Sequence, residues 1–138
     1  MAIKRKPLWL RWTTQPHQWV AISPNIYAPE EYHMNPFSPI WDPLIKHEEY
    51  HLARQNATGL VRWLSRYALD KGFRLDEECR GAAVELSVMP EEAREARMRA
   101  YASDLVGPAY RNTAPSFGIA YELIRYYLKI FTGVGLAN

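Results

Sequence analysis

Proline placement constrains this chain before anything else does. Seven of its ten prolines fall at or before residue 43 (Pro7, Pro16, Pro24, Pro29, Pro36, Pro39 and Pro43), and none follows until Pro90. Each removes a backbone donor and crowds the turn before it, so no long helix fits in the first third, whereas the stretch after Pro43 is open to one. The runs PLWLRW and QWVAISPNIYA, aromatic and β-branched between these breaks, read as two or three short strands within residues 1–28. Residues 29–43 read as an ordered, proline-braced loop lying across the surface, whose Tyr32, Phe37 and Trp41 need somewhere to pack.

From 44 to about 132 the pattern is helical. Asp42-Pro43 is a helix start, with Asp to cap free N–H groups and Pro where no donor is missed. Leu44, Ile45, Leu52, Leu60, Trp63, Leu64 and Tyr67 then recur at helical spacing to about Asp70, with Gly72 as the stop. A second helix is expected from about Leu75 to Val88. A third, EEAREARMRAYASDL, opens after Pro90 and ends at Gly107-Pro108, and a fourth follows Ser116 to near Thr132-Gly133. No repeat or low-complexity tract interrupts this order. The fold class is α+β, helix-dominated with a small N-terminal sheet, in one domain spanning 1–138.

Hydrophobic residues make up 48% of the 138, with five Trp and nine Tyr, which is the composition of a folded chain and not of a disordered one. A single cysteine, Cys79, excludes an internal disulfide and a Cys-rich zinc ribbon, so any metal must be held by histidine and carboxylate. The net charge is +2 with both signs dispersed, and the one basic run, Lys4-Arg5-Lys6, reads as a solvated terminus; no nucleic-acid partner is expected. No signal peptide is visible, and the most apolar segment, IAYELIRYYLKIF, carries Glu122, Arg125 and Lys129 and is too short to span a bilayer. A soluble, cytoplasmic protein is the expectation.

The chemistry concentrates in HEEYH, residues 47–51. Residues four apart on a helix share a face, so His47 and His51 can reach one ion. Two imidazoles and a carboxylate leave zinc one open position for water, the arrangement of a catalytic site. Glu48, at the edge of that face, can act as general base on the metal-activated water and later protonate a leaving amine. Glu49 points away, to solvent. Four His and eleven Glu give this pattern by chance in about one such chain per hundred. Its position one turn inside a capped helix, flanked by Leu44, Ile45 and Leu52, is what favours the metal over a merely polar helix face.

A third ligand is required. A metzincin would place Gly and His where Arg54 and Ala57 stand, so the ligand should be a carboxylate from another helix. In RLDEECRGAAVEL, Asp76, Glu77 and Glu78 are the candidates. Glu78 is preferred because Gly81 and Ala82 follow one turn later and permit close helix approach. The surroundings of Asp76 and Glu77 suit exposed positions, where first-turn acids favoured by the helix dipole belong.

HEEYH followed by E-C-R-G-A (Glu78–Ala82) resembles the H-E-x-x-H … E-x-x-A pattern of small gluzincin-type zinc metallopeptidases. NIYAP, PLIKHEEYHLARQ, GLVRWLSRY and FRLDEE, with Gln55, Gly59, Trp63 and Tyr67 along what reads as the same helix, are similar to compact metallopeptidases of bacteria and their phages. The resemblance covers residues 20–90. It implies a minimal zincin-like domain in which His47, His51 and Glu78 bind zinc and Glu48 is the general base.

Tyr110 and His33 are the candidates for stabilising an oxyanion, and Asp70 or Asp76 for orienting a ligand histidine through its free ring nitrogen. His17 reads as a turn residue, and Cys79 as a small packed group pointing away from the metal. The function expected is zinc-dependent hydrolysis of peptide bonds in a peptide or protein substrate. The alternative is a non-catalytic protein-interaction module on the same scaffold.

Overall fold

The computed structural model describes residues 1–133. The fold is α+β, with a three-stranded sheet at the N-terminus and seven α-helices among the described residues. The chain divides into two compact units, Met1–Leu64 and a second beginning at Ser65.

In the first unit, β1 (Ala2–Arg5) pairs parallel to β3 (Asn25–Ala28), and β2 (Val20–Ile22) pairs antiparallel to β3, giving the order β1-β3-β2. The sheet includes a strand that the apolar pattern did not suggest. AIKR forms β1 because its backbone completes the free edge of β3, whatever its side-chain character. The basic run belongs to an ordered strand: Lys4 and Arg5 lie in it with their side chains exposed, as expected, while Lys6 departs from the solvated reading at only 7% exposure. PLWLRW is not a strand either. It is helix α1 (Leu8–Thr13), started at Pro7, whose carbonyl accepts from the N–H groups of Leu10 and Arg11. Only Leu10 of this run is buried, so its apolar residues never formed the alternating face of a strand.

The proline-braced stretch contains more helix than expected. A short α2 (Glu30–Met34) and a 3₁₀ turn (Pro39–Trp41) lead directly into α3 (Asp42–Thr58). Tyr32 and Trp41 pack around Trp19, at ring-centroid distances of 5.3 and 6.0 Å, while Phe37 points to solvent. Asp42 lies in the first turn of α3 and makes no side-chain cap. The core of the unit is Ala21, Ile26 and Leu52, with Ile3 and Trp19 against it. Burying Leu52 against the sheet contributes about 1.5–3 kcal/mol.

The long helix expected to reach Asp70 is two helices. Gly59 interrupts it at φ 97° and ψ 128°, a backbone conformation open to glycine, and α4 (Leu60–Leu69) starts immediately. Gly72 does not stop anything: α5 (Lys71–Ser87) runs through it, capped by the Asp70 carboxylate on the Phe73 N–H at 3.0 Å.

The second unit continues with α6 (Glu91–Leu105) and α7 (Phe117–Thr132). Ser116 caps α7, and Gly133 closes it in the left-handed region. Cys79, Ala82, Ala83 and Leu86 of α5 meet Met98, Tyr101, Ala102 and Leu105 of α6 and Ala120, Ile124 and Tyr127 of α7. The alanines let the helices come close, and Glu85, 1% exposed, is satisfied by Arg97 at 2.7 Å and the Tyr101 hydroxyl at 2.8 Å. No helix among the described residues is long and apolar enough to cross a membrane.

Candidate metal centre

Helix α3 carries His47, Glu48 and His51 on its buried side, at 2%, 7% and 4% exposure. The two histidine Nε2 atoms stand 3.0 Å apart, so the i, i+4 spacing converges both rings on one point. A gap of that size is bridged by one shared proton, or by one ion at the roughly 2 Å that metals such as zinc keep to imidazole. The Trp63 ring packs 5.7 Å from that of His51. Glu49 turns outward to Lys46 at 3.4 Å, as its place on the helix dictates.

Gln55, one turn beyond His51, fixes how α3 meets the sheet. Fully buried, it accepts the Ser23 N–H on Oε1 at 2.7 Å and donates Nε2 to the Ala21 carbonyl at 2.8 Å. Both ends of the amide are thus spent on the main chain around β2. Sliding α3 along the strand would break both bonds together, which holds the histidines in register.

Glu78, 5% exposed on α5, accepts a 2.6 Å hydrogen bond from the Tyr67 hydroxyl. A bond this short to a carboxylate fixes the rotamer of the acid. Tyr67 is held in turn. Arg74, 3% exposed, donates to the carbonyls of Tyr67 and Ala68, the last of these at 3.3 Å, and to Thr113 Oγ1 at 2.6 Å. It thereby satisfies carbonyls that the end of α4 leaves open.

Among the described residues, His47, His51 and Glu78 form one group of three buried side chains whose ligand atoms all lie within 4.8 Å of one another and that could hold a metal ion. Glu78 is the acid of the three candidates that joins it. Asp76 is committed elsewhere, to Arg80 at 2.8 Å and to a short bond from the Tyr127 hydroxyl. Glu77 corrects the expectation of exposure: it is 0% exposed, because α5 is buried around most of its girth at this level. Asp70 caps α5, so neither it nor Asp76 orients a histidine. Cys79 packs in the core, and burial pushes its thiol pKa up.

The two oxyanion candidates lie on different elements. His33 lies on α2 with its ring edge-on to Tyr32 at 5.1 Å, and Tyr110 sits in the 3₁₀ turn Pro108–Tyr110 against the core of the second unit. His17 occupies an exposed turn.

The sequence reading named Tyr67 and Gln55 within the resemblance and Lys6 within the basic run, and gave none of them a contact. Tyr67 had the spacing of a core residue, and nothing local marks a hydroxyl that meets an acid eleven positions on. Gln55 could have been found, since a glutamine one turn past His51 on the inward side of a helix needs a buried partner. The Lys6 ammonium pKa is pushed down by burial and drawn back up by the carboxylates of Glu31 and Glu48.

No protein-family model, curated protein or solved structure matches this chain. The likeness to gluzincin-type metallopeptidases has the quoted motifs as its support.

Proposed function

We propose that this protein is a zinc-dependent hydrolase of peptide bonds, with His47, His51 and Glu78 as metal ligands and Glu48 as general base. The observation that carries the reading is the buried group of two imidazoles and one carboxylate, with Glu48 buried beside it on the same helical turn. The donor set suits zinc, since nitrogen and carboxylate oxygen are ligands it favours and three protein ligands leave a position open. Zinc bound there would polarise a scissile carbonyl and make water nucleophilic at neutral pH. Glu48 would receive the proton of the attacking water and deliver it to the leaving amine. Tyr67 holds the Glu78 carboxylate, and Gln55 holds the histidine helix.

Metal analysis of purified protein tests the ligand set: about one zinc per chain is expected, with strong loss in Glu78→Gln. Zinc retained in that variant would remove Glu78 from the site. Glu48→Gln should keep its zinc and lose cleavage of a peptide library, and retained cleavage would reject the mechanism.

A second reading, a non-catalytic interaction module, is favoured by one observation. Met34, Phe37 and Ile40 present apolar side chains to solvent at 83%, 95% and 66% exposure, more than a surface with no partner usually shows so closely spaced. Zinc-loaded protein that cleaves no peptide in the library would support it.

A further inference from the structure

The first unit contains a cavity of about 280 Å³ that the hydrolase reading leaves unused, lined by Lys6, Arg11, Pro16, Ala28, Pro29 and Glu30. It lies just below the roughly 300–1,000 Å³ that houses whole small molecules, so it suits a single functional group on a short stem. Pro16, Ala28 and Pro29 supply apolar wall.

The polar lining is rich in donors. Lys6 Nζ has three N–H bonds and spends two, on Thr14 Oγ1 at 3.1 Å and the Gln15 carbonyl at 2.8 Å. Arg11 gives its Nε to the Lys6 carbonyl at 3.1 Å, which fixes the guanidinium beside the cavity. Its Nη2 stands 3.8 Å from Glu30, beyond hydrogen-bond distance. The donors left over are one on Lys6 and those at the outer end of Arg11. Glu30 is the one carboxylate in the lining, and Arg5 already engages it at 3.3–3.4 Å. Glu31 and Glu48 also act on the Lys6 charge without hydrogen-bonding it. A carboxylate, which only accepts, is the group whose hydrogen-bonding character complements this lining.

The geometry points to this cavity as a binding site for a carboxylate on a short apolar stem, gripped by Lys6 and Arg11. On the hydrolase reading, on which this clause alone rests, the carboxylate it takes is that of an acidic residue of the substrate.

The test is an NMR titration of ¹⁵N-labelled protein with glutarate and with glutaramide, its uncharged isostere, following the amides of Ala28 and Glu30. Glutarate should shift both saturably and glutaramide should not. Arg11→Gln should raise the glutarate dissociation constant at least about tenfold, the loss expected for a charge-assisted contact. Arg11 is half-exposed, so this variant tests the site even where Lys6→Met fails to fold. No saturable shift in wild type, equal response to glutaramide, or unchanged binding in Arg11→Gln would overturn the assignment. Paired peptides differing by Glu for Gln at one position then identify the source of the carboxylate. A kcat/KM preference for the Glu peptide that vanishes in Arg11→Gln assigns it to the substrate. Glutarate binding without that preference assigns the site to a free small acid. Failure of zinc loading or of turnover rejects the hydrolase and leaves the glutarate result standing.

Discussion

Tyr67→Phe perturbs the candidate metal centre without touching a proposed ligand. The substitution keeps the ring, and with it the Arg74 guanidinium 5.8 Å away, and deletes only the hydroxyl that donates to Glu78 at 2.6 Å. A hydrogen bond to a charged acceptor contributes about 1.5–3 kcal/mol, and Glu78, 5% exposed, has little water to replace the lost donor. Two consequences follow at different scales. Metal-free protein should lose about 1–3 kcal/mol of stability in urea denaturation. Zinc affinity, measured by competition with a chromophoric chelator, should fall about 10–100-fold, the usual cost of removing the partner that orients a ligating side chain. An affinity within about threefold of wild type would refute the reasoning, because it would mean either that Glu78 is not a ligand or that its orientation does not need Tyr67.

Gln55→Leu should destabilise the protein by about 2–4 kcal/mol, since it leaves the Ser23 N–H and the Ala21 carbonyl without their buried partner; chemical denaturation measures it. Gly59→Ala should cost about 1–3 kcal/mol through backbone conformation alone, because a β-carbon there meets nothing within 4 Å; the thermal midpoint reports it, and an unchanged midpoint would show that α3 and α4 can merge. Tyr127 has its pKa raised from 10.0 to about 12, by burial first and by the Asp76 carboxylate second. It keeps its proton longer folded than unfolded. It therefore contributes stability that is complete below pH 10 and is lost as pH climbs toward 12. The stability difference between wild type and Tyr127→Phe should accordingly shrink across that window, and a constant difference would contradict the sign.

What could be read from the sequence followed what local physics controls. Helices α5, α6 and α7 announced themselves through periodicity and through Pro90, Ser116 and Gly133, because caps and stops act over a few residues. The convergence of His47 and His51 followed from helical spacing, and the choice of Glu78 over its neighbours from the small residues after it. The failures were nonlocal. AIKR becomes a strand through the edge of β3, and PLWLRW becomes a helix because apolar character alone does not fix a period over six residues. Gly59 and Gly72 looked alike as punctuation, yet only Gly59 adopts a conformation that requires glycine. The burial of Lys6 and Glu77 depends on what packs over them, which charge on the page does not disclose.

The amide of Gln55 reads only main-chain atoms of the strand it grips. The coupling between sheet and histidine helix is therefore indifferent to the outward side chains of Val20 and Ile22, and a library randomised at those two positions should yield variants with the histidines still in register. A strand anchored this way is free to drift in sequence while keeping its job. Distant chains built on the same plan would then share a glutamine four residues after the second histidine and a strand of unrecognisable composition.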